Sequence, residues 1–236
     1  MIRLVALTFL VLILAACQPA TRQAEETEPG QHRQSWPEFN YPDAAGGEGM
    51  VYRLEAAGSH IDIVARRDGP MARFGHDHVI TVQAAQGFLL INDAVETSRA
   101  DLRFDTRLLQ VDDAEKRAVY ELDTEPDEEA VAATRRNMLE KVLRADQWPE
   151  IRLSLSEFRR EETGYSAKLD IQAGGGSYVS RQRFAMSRSA DGLIISGQTE
   201  LLQSDLGLEP FSVLGGGLRV ADALEIFFRL RAIPMQ

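Results

Sequence analysis

The stretch Asp101-Leu102-Arg103-Phe104-Asp105-Thr106-Arg107-Leu108 alternates without a break, with apolar or small side chains at every even position and charges at every odd one. Successive side chains of a strand point to opposite faces, so the pattern predicts a strand with one wet face and one buried face. The same period of two runs through Ile151-Arg152-Leu153-Ser154-Leu155, and through Tyr165, Ala167, Leu169 and Ile171. It returns in Leu193, Ile195, Gly197, Thr199 and Leu201, and again in Leu224, Ile226, Phe228, Leu230 and Ala232. Adding Ser59–Arg66, Val79–Ile91 and Ser177–Ser187 brings the total to about eight strands. Polar or glycine-bearing turns such as Ala190-Asp191-Gly192 separate many of them.

One segment breaks the rhythm. Thr124-Glu125-Pro126-Asp127 supplies capping and acidic residues, and Val131, Met138, Leu139, Val142 and Leu143 recur at helical spacing until Trp148-Pro149. A helix is therefore expected between the third and fourth strands, set against the sheet as a cover or plug. The fold class that follows is all-β with one helix. Eight mostly antiparallel strands in this length favour an antiparallel barrel, because closure removes exposed edges. Such a barrel is either filled by its own side chains or holds one small ligand, and alternation does not distinguish the two.

The chain has 236 residues and a formal charge of −10, enough for one domain with a sizeable core. An acidic chain with 7% aromatic residues is a poor match for a phosphate backbone or for stacked bases, so no nucleic-acid partner is expected. Its single cysteine excludes an intrachain disulfide framework and a cysteine-rich zinc site.

That cysteine is Cys17. Arg3 precedes an apolar run from Leu4 to Leu14, too short to span a bilayer as a helix, and Leu14-Ala15-Ala16-Cys17 follows. The arrangement resembles the lipobox of bacterial lipoproteins, which implies a signal peptide over residues 1–16 and lipidation of Cys17. Gln18 stands where an inner-membrane retention signal would place Asp, so the expected location is the periplasm, anchored at the outer membrane. Residues 17–49 hold four of the nine prolines, and six acidic residues against two arginines, and read as a disordered acidic tether. Trp36, Phe39 and Tyr41 are its aromatics, expected to be incidental to the linker. Residues 50–236 then form the barrel domain.

From Val51 to Ala232 the landmarks resemble those of the YceI-like family, secreted lipocalin-like barrels that bind polyisoprenoids and related long-chain lipids. Tyr52-Arg53-Leu54 with Ser59-His60-Ile61 is similar to the family's first strand. Asn137-Met138-Leu139 and Gln147-Trp148-Pro149-Glu150-Ile151 resemble its helix and following strand. Gln203-Ser204-Asp205-Leu206-Gly207-Leu208 resembles its late Ser-Asp-Phe-Gly segment, with Leu206 for Phe. Asp222 and the alternation from Leu224 to Leu230 resemble its closing strand. Phe74-Gly75-His76-Asp77-His78-Val79 resembles a Gly-His-Asn-His branch with Asp77 for Asn, and Pro210–Val220 resembles the same branch. The resemblance implies a lipocalin-like barrel whose ligand is a polyisoprenoid, a quinone-type tail or a fatty acyl chain.

In a hollow barrel the inward rows form an apolar tunnel, and each CH₂ moved into it gains about 0.8 kcal/mol before ordering costs. Candidate wall residues are Leu102, Phe104, Leu153, Leu169, Leu193, Ile195, Ile226 and Phe228. His76 and His78 share one face of an extended segment, so both imidazoles could meet one head group, metal or haem, or simply form a structural hydrogen-bond cluster. His60 would complete a three-nitrogen metal set, with Asp77 adding a carboxylate only if the turn bends. Arg136, beside Arg135, and Ser212 are further candidates for polar contact with a head group. The triple glycines at 174–176 and 215–217 lack the setting of a phosphate loop, and Ser212 has no evident His-Asp partnership. The expected function is sequestration or carriage of a long-chain apolar lipid, with no catalytic residue and no cofactor. The alternatives are a metal- or haem-associated barrel using His76 and His78, and a structural envelope lipoprotein with a solid core and a protein partner.

Overall fold

A twenty-residue strand, β1 (Gly49–Asp68), runs the full height of the molecule and carries two sets of partners along one edge. The computed structural model describes residues 36, 37, 39–41 and 49–235. The signal segment, Cys17 and most of the tether lie outside the described residues. The lower half of β1 pairs with β3 (Gln86–Asn92), and its upper half with β2 (His78–Val82). The single strand expected over Val79–Ile91 is therefore broken at Gln83–Ala85. The run over Asp101–Leu108 breaks likewise. β4 (Arg99–Asp105) ends in a 3₁₀ turn over Thr106–Leu108, where the Asp105 carboxylate accepts the Arg107 amide, and β5 (Leu109–Val111) then pairs with β2. The turn resets the alternation, so Leu108 is 58% exposed although Leu102, Phe104 and Thr106 are buried.

α1 (Ala114–Val119) and α2 (Glu128–Asn137) follow, the latter continuing through a π turn over Met138–Val142. Asp127 caps α2 by accepting the Ala130 amide, so Pro126 precedes the helix. Four long strands complete the wall: β6 (Glu150–Arg160), β7 (Tyr165–Ala173), β8 (Gly176–Ser189) and β9 (Gly192–Leu202). After the two-residue β10 (Ser212–Val213), β11 (Leu218–Pro234) pairs with β9 and returns to β1. The ring β1-β3-β4-β6-β7-β8-β9-β11 closes on itself as eight antiparallel strands. Counted along this ring, α2 lies between the third and fourth strands, as expected.

The two ends of the barrel differ. The tight turns β3–β4, β6–β7 and β8–β9 meet at one end, where Phe158 and Phe184 pack edge to face at 5.8 Å and Leu193 is fully buried. The long connections 69–77, 106–149 and 203–217 meet at the other. There Gly175 (φ +90°) lets the Trp148 ring approach to 2.7 Å of where a β-carbon would stand.

The aromatics ahead of the barrel are not incidental. Tyr41 is 0% exposed, clusters with Val51 and Leu90, and its hydroxyl donates to Asp101 at 2.7 Å. Arg99 lies over the Phe39 ring and Arg103 over the Trp36 ring. The charged outer face of β4 thus binds this segment, because a guanidinium can stack on a ring and remain hydrated.

Candidate functional site

The inward rows enclose a cavity of about 450 Å³. Ile61 and Ile63 of β1 line it with Leu102 and Phe104 of β4, Leu153 of β6, Leu169 of β7, Ile195 of β9, and Ile226 and Phe228 of β11. Phe158 and Phe184 form its floor, and Met138, Val142 and Leu143 approach from the helical connection. Seven of the eight expected wall residues face this space. Leu193 does not: it lies level with Arg188 and Ala232, below the floor, and belongs to the packed end. The volume is in the range of small-molecule sites, and the lining is apolar over most of its depth.

Polar groups gather at the mouth. His76 and His78 both line it, with ring centroids 6.3 Å apart, joined by Thr134 and Asn137 of α2 and by Arg67 and Arg219. His78 Nδ1 lies 2.6 Å from Asp112 Oδ2, while Asp112 Oδ1 accepts from Arg117 at 2.6 Å and from the Val79 amide at 3.1 Å. Burial pushes the Asp112 carboxyl up, but the bonds from His78, Val79 and Arg117 outweigh it and hold the group below the usual carboxylate range. Donation from Nδ1 to Asp112 leaves Nε2 on the side of Thr134, whose hydroxyl is 3.5 Å away. His76 Nδ1 is buried and has no hydrogen-bond partner among the described residues. One imidazole is therefore locked in orientation and the other has a polar atom to offer.

The remaining candidates are placed elsewhere. Asp77 turns away from the cavity, accepting the Arg67 amide at 2.9 Å and Arg66 Nη1 at 3.3 Å. His60 is on the outer face of β1, 4.0 Å from Asp62, and burial with the nearby Lys116 charge pulls its pKa down. His60, His76 and His78 thus do not converge, and the described residues contain no group of three or more His, Cys, Asp or Glu able to hold a metal ion. Arg136 is exposed: Thr134, Asn137 and Met138 share the helix face toward the cavity, which directs position 136 outward. Ser212 is also exposed, between the lining residues Phe211 and Val213, because alternation turns it to the other face.

Ile61 and Ile63 were missed as wall residues, although the alternation in Ser59–Arg66 marks them. Asp112 carried no local signal, since it meets His78 across 34 residues of sequence.

The fold and cavity define a class: a lipocalin-like antiparallel barrel with one deep apolar pocket and a polar mouth. No known family's sequence profile matches the chain, and no curated protein matches it. Solved structures do. BcnA of Burkholderia cenocepacia superposes with a TM-score of 0.58 at 11% identity, over 75% of this chain and 98% of that one. A polyisoprenoid binding domain from Saccharophagus degradans, implicated in plant cell wall breakdown, superposes with a TM-score of 0.53 at 12% identity, over 79% and 99%. At such identities the likeness is one of fold, and the eight-stranded antiparallel barrel expected from the sequence is the fold observed.

Proposed function

We propose that the protein is a non-catalytic carrier of a long-chain apolar lipid, of the polyisoprenoid, quinone-tail or fatty acyl type, working in the cell envelope. The observation that carries this reading is the 450 Å³ cavity, lined mostly by apolar side chains, with the two histidines at its mouth and a few polar side chains on the β8 and β9 wall. An extended hydrocarbon chain gains free energy from each methylene transferred to such a wall, with no acid or base required. The ligand's polar end meets His76 and His78, the first through its unpartnered Nδ1 and the second through the ring that Asp112 orients. The polyisoprenoid-binding domain of Saccharophagus degradans has the same fold, which favours a prenyl chain over other apolar ligands. Anchorage through Cys17 at the periplasmic face of the outer membrane belongs to the same proposal, resting on the lipobox-like sequence.

Native mass spectrometry before and after organic extraction tests the reading. A co-purifying apolar lipid, or stoichiometric rebinding of an added polyprenol, is the expected result. Preparations that are lipid-free and that ignore added polyprenol overturn it.

A further inference from the structure

The ring of strands is not sealed along its whole height. β8 and β9 pair only between Ala185–Ser189 and Gly192–Ser196. Above that, β8 from Val179 to Phe184 pairs with β7 alone, and β9 from Gly197 to Leu202 pairs with β11 alone. The strands part at Gly197. A β-carbon there would stand 2.7 Å from the Phe228 ring and 3.1 Å from the Arg183 carbonyl, so the missing side chain lets β8 stay close to the glycine where the ladder ends. Higher up, the turn at Gln203–Leu206 brings the chain back to β8, with the Leu206 carbonyl against Gly176. The result is a window bounded below by the short ladder and above by this turn.

The cavity reaches this window. Ser180 and Gln182 of β8 line it from inside, and so do Thr199 and Glu200 of β9. Thr199 faces inward, and Glu200, which alternation turns to the outer face, also borders the cavity, so the lining reaches the edge of β9 at the seam. Two large apolar side chains stand exposed beside the gap, one on each strand: Val179 at 50% and Leu202 at 37%. In a chain of net charge −10, an apolar pair flanking an unsealed seam over an apolar cavity is the chemistry of a hydrocarbon threshold.

We propose that the β8–β9 seam is a side portal through which the ligand's hydrocarbon chain passes into and out of the cavity, while its head group stays at the histidine mouth. The inference rests on the lipid-carrier reading and adds the route. A linear chain slides sideways between the strands, so no bulky polar end has to be drawn through the barrel.

Stopped-flow uptake and release of cis-parinaric acid, a fluorescent polyene fatty acid, tests it on the full chain. Val179→Glu combined with Leu202→Glu puts charge on both rims at exposed positions, and Leu214→Glu does the same beside the mouth. The rim pair is expected to slow both rates about tenfold with little change in affinity, because charge at a threshold raises the barrier and not the end states. Leu214→Glu is expected to leave both rates unchanged. A rim pair that behaves as the native protein, or a slowing confined to Leu214→Glu, overturns the portal while leaving the carrier standing. Absence of any probe binding by the native chain overturns the portal as a route for an acyl chain, and polyprenol binding then decides the carrier reading by itself. As an independent measurement, the thiol of Thr199→Cys, in a Cys17→Ser background, is expected to lose maleimide reactivity when probe is bound. Reactivity indifferent to probe counts against the portal even if the rim pair fails to fold.

Discussion

Asp112 accepts from His78, from the Val79 amide and from Arg117, and each of these bonds favours its charged form. Its pKa in the folded chain is lower than the value of about 3.9 expected when unfolded. The stabilisation is therefore fully present above about pH 4 and is lost as pH falls through the folded-state value. Asp112→Asn is expected to lower stability at pH 7 by about 2 kcal/mol and to flatten the acid limb, read from urea midpoints at pH 7 and pH 3. His76 makes a different demand, since its buried Nδ1 has no partner among the described residues. His76→Phe is expected to weaken a polyprenol about fivefold, the worth of one neutral hydrogen bond, and to leave the hydrocarbon squalene unaffected. Equilibrium titration with both ligands checks it, and equal weakening of both would remove the head-group role. Only part of this site was legible in the sequence. His76 and His78 were visible because spacing of two in an extended segment needs no tertiary information. Asp112, Arg117 and Thr134 were not, because long-range packing brings them to His78.

At the scale of elements, α1 is fastened to the outside of the barrel by a buried carboxylate. Asp62 is 1% exposed and accepts from Lys116 Nζ at 2.7 Å, Thr81 Oγ1 at 2.8 Å and the Tyr120 hydroxyl at 3.0 Å. Burial, and then the neighbouring Asp62, push the Tyr120 phenol up, so it remains a donor throughout the ordinary pH range. Asp62→Ala is expected to cost about 2 kcal/mol, below the figure for a fully buried pair because Lys116 can rehydrate. Hydrogen exchange of Ala114–Val119 should rise in step, and unchanged protection would deny the clamp. α1 could not be read from its sequence: six residues give too little periodicity, and the acid that holds it lies 54 residues from Lys116. The barrel strands were readable because one face is wet and the other buried over most of their length. Alternation failed where that contrast fails, at the 3₁₀ turn of Thr106–Leu108 and at the break between β2 and β3. Tyr41 escaped for a related reason: a few docked aromatics in a proline-rich segment have no period to announce them.

For the molecule as a whole, an occupied cavity and an empty one differ in stability. A ligand that binds only the folded chain adds about 2.7 kcal/mol when present at 100 times its dissociation constant. The melting temperature is therefore expected to rise with added polyprenol and to fall after organic extraction. Leu153→Asp, which places a charge on the cavity wall, should abolish the shift with the protein still folded. A shift that persists in this variant would locate binding elsewhere. Whether the interior was hollow lay beyond sequence reasoning, because the same inward rows make either a tunnel or a solid core. The decision rests on how far apart the facing walls stand, and no local pattern encodes that distance.

The incomplete β8–β9 ladder also bears on how copies of the chain tolerate one another in concentrated solution. A strand edge with no sheet neighbour is a template for adding a foreign strand, the first step toward fibres. Here β8 carries Arg181 and Arg183 beside its edge, and β9 carries Glu200. Two copies meeting β8 to β8 would bring guanidinium groups face to face, and two meeting β9 to β9 would oppose carboxylates. The cations on one edge and the acid on the other thus disfavour like-to-like pairing of the open strands.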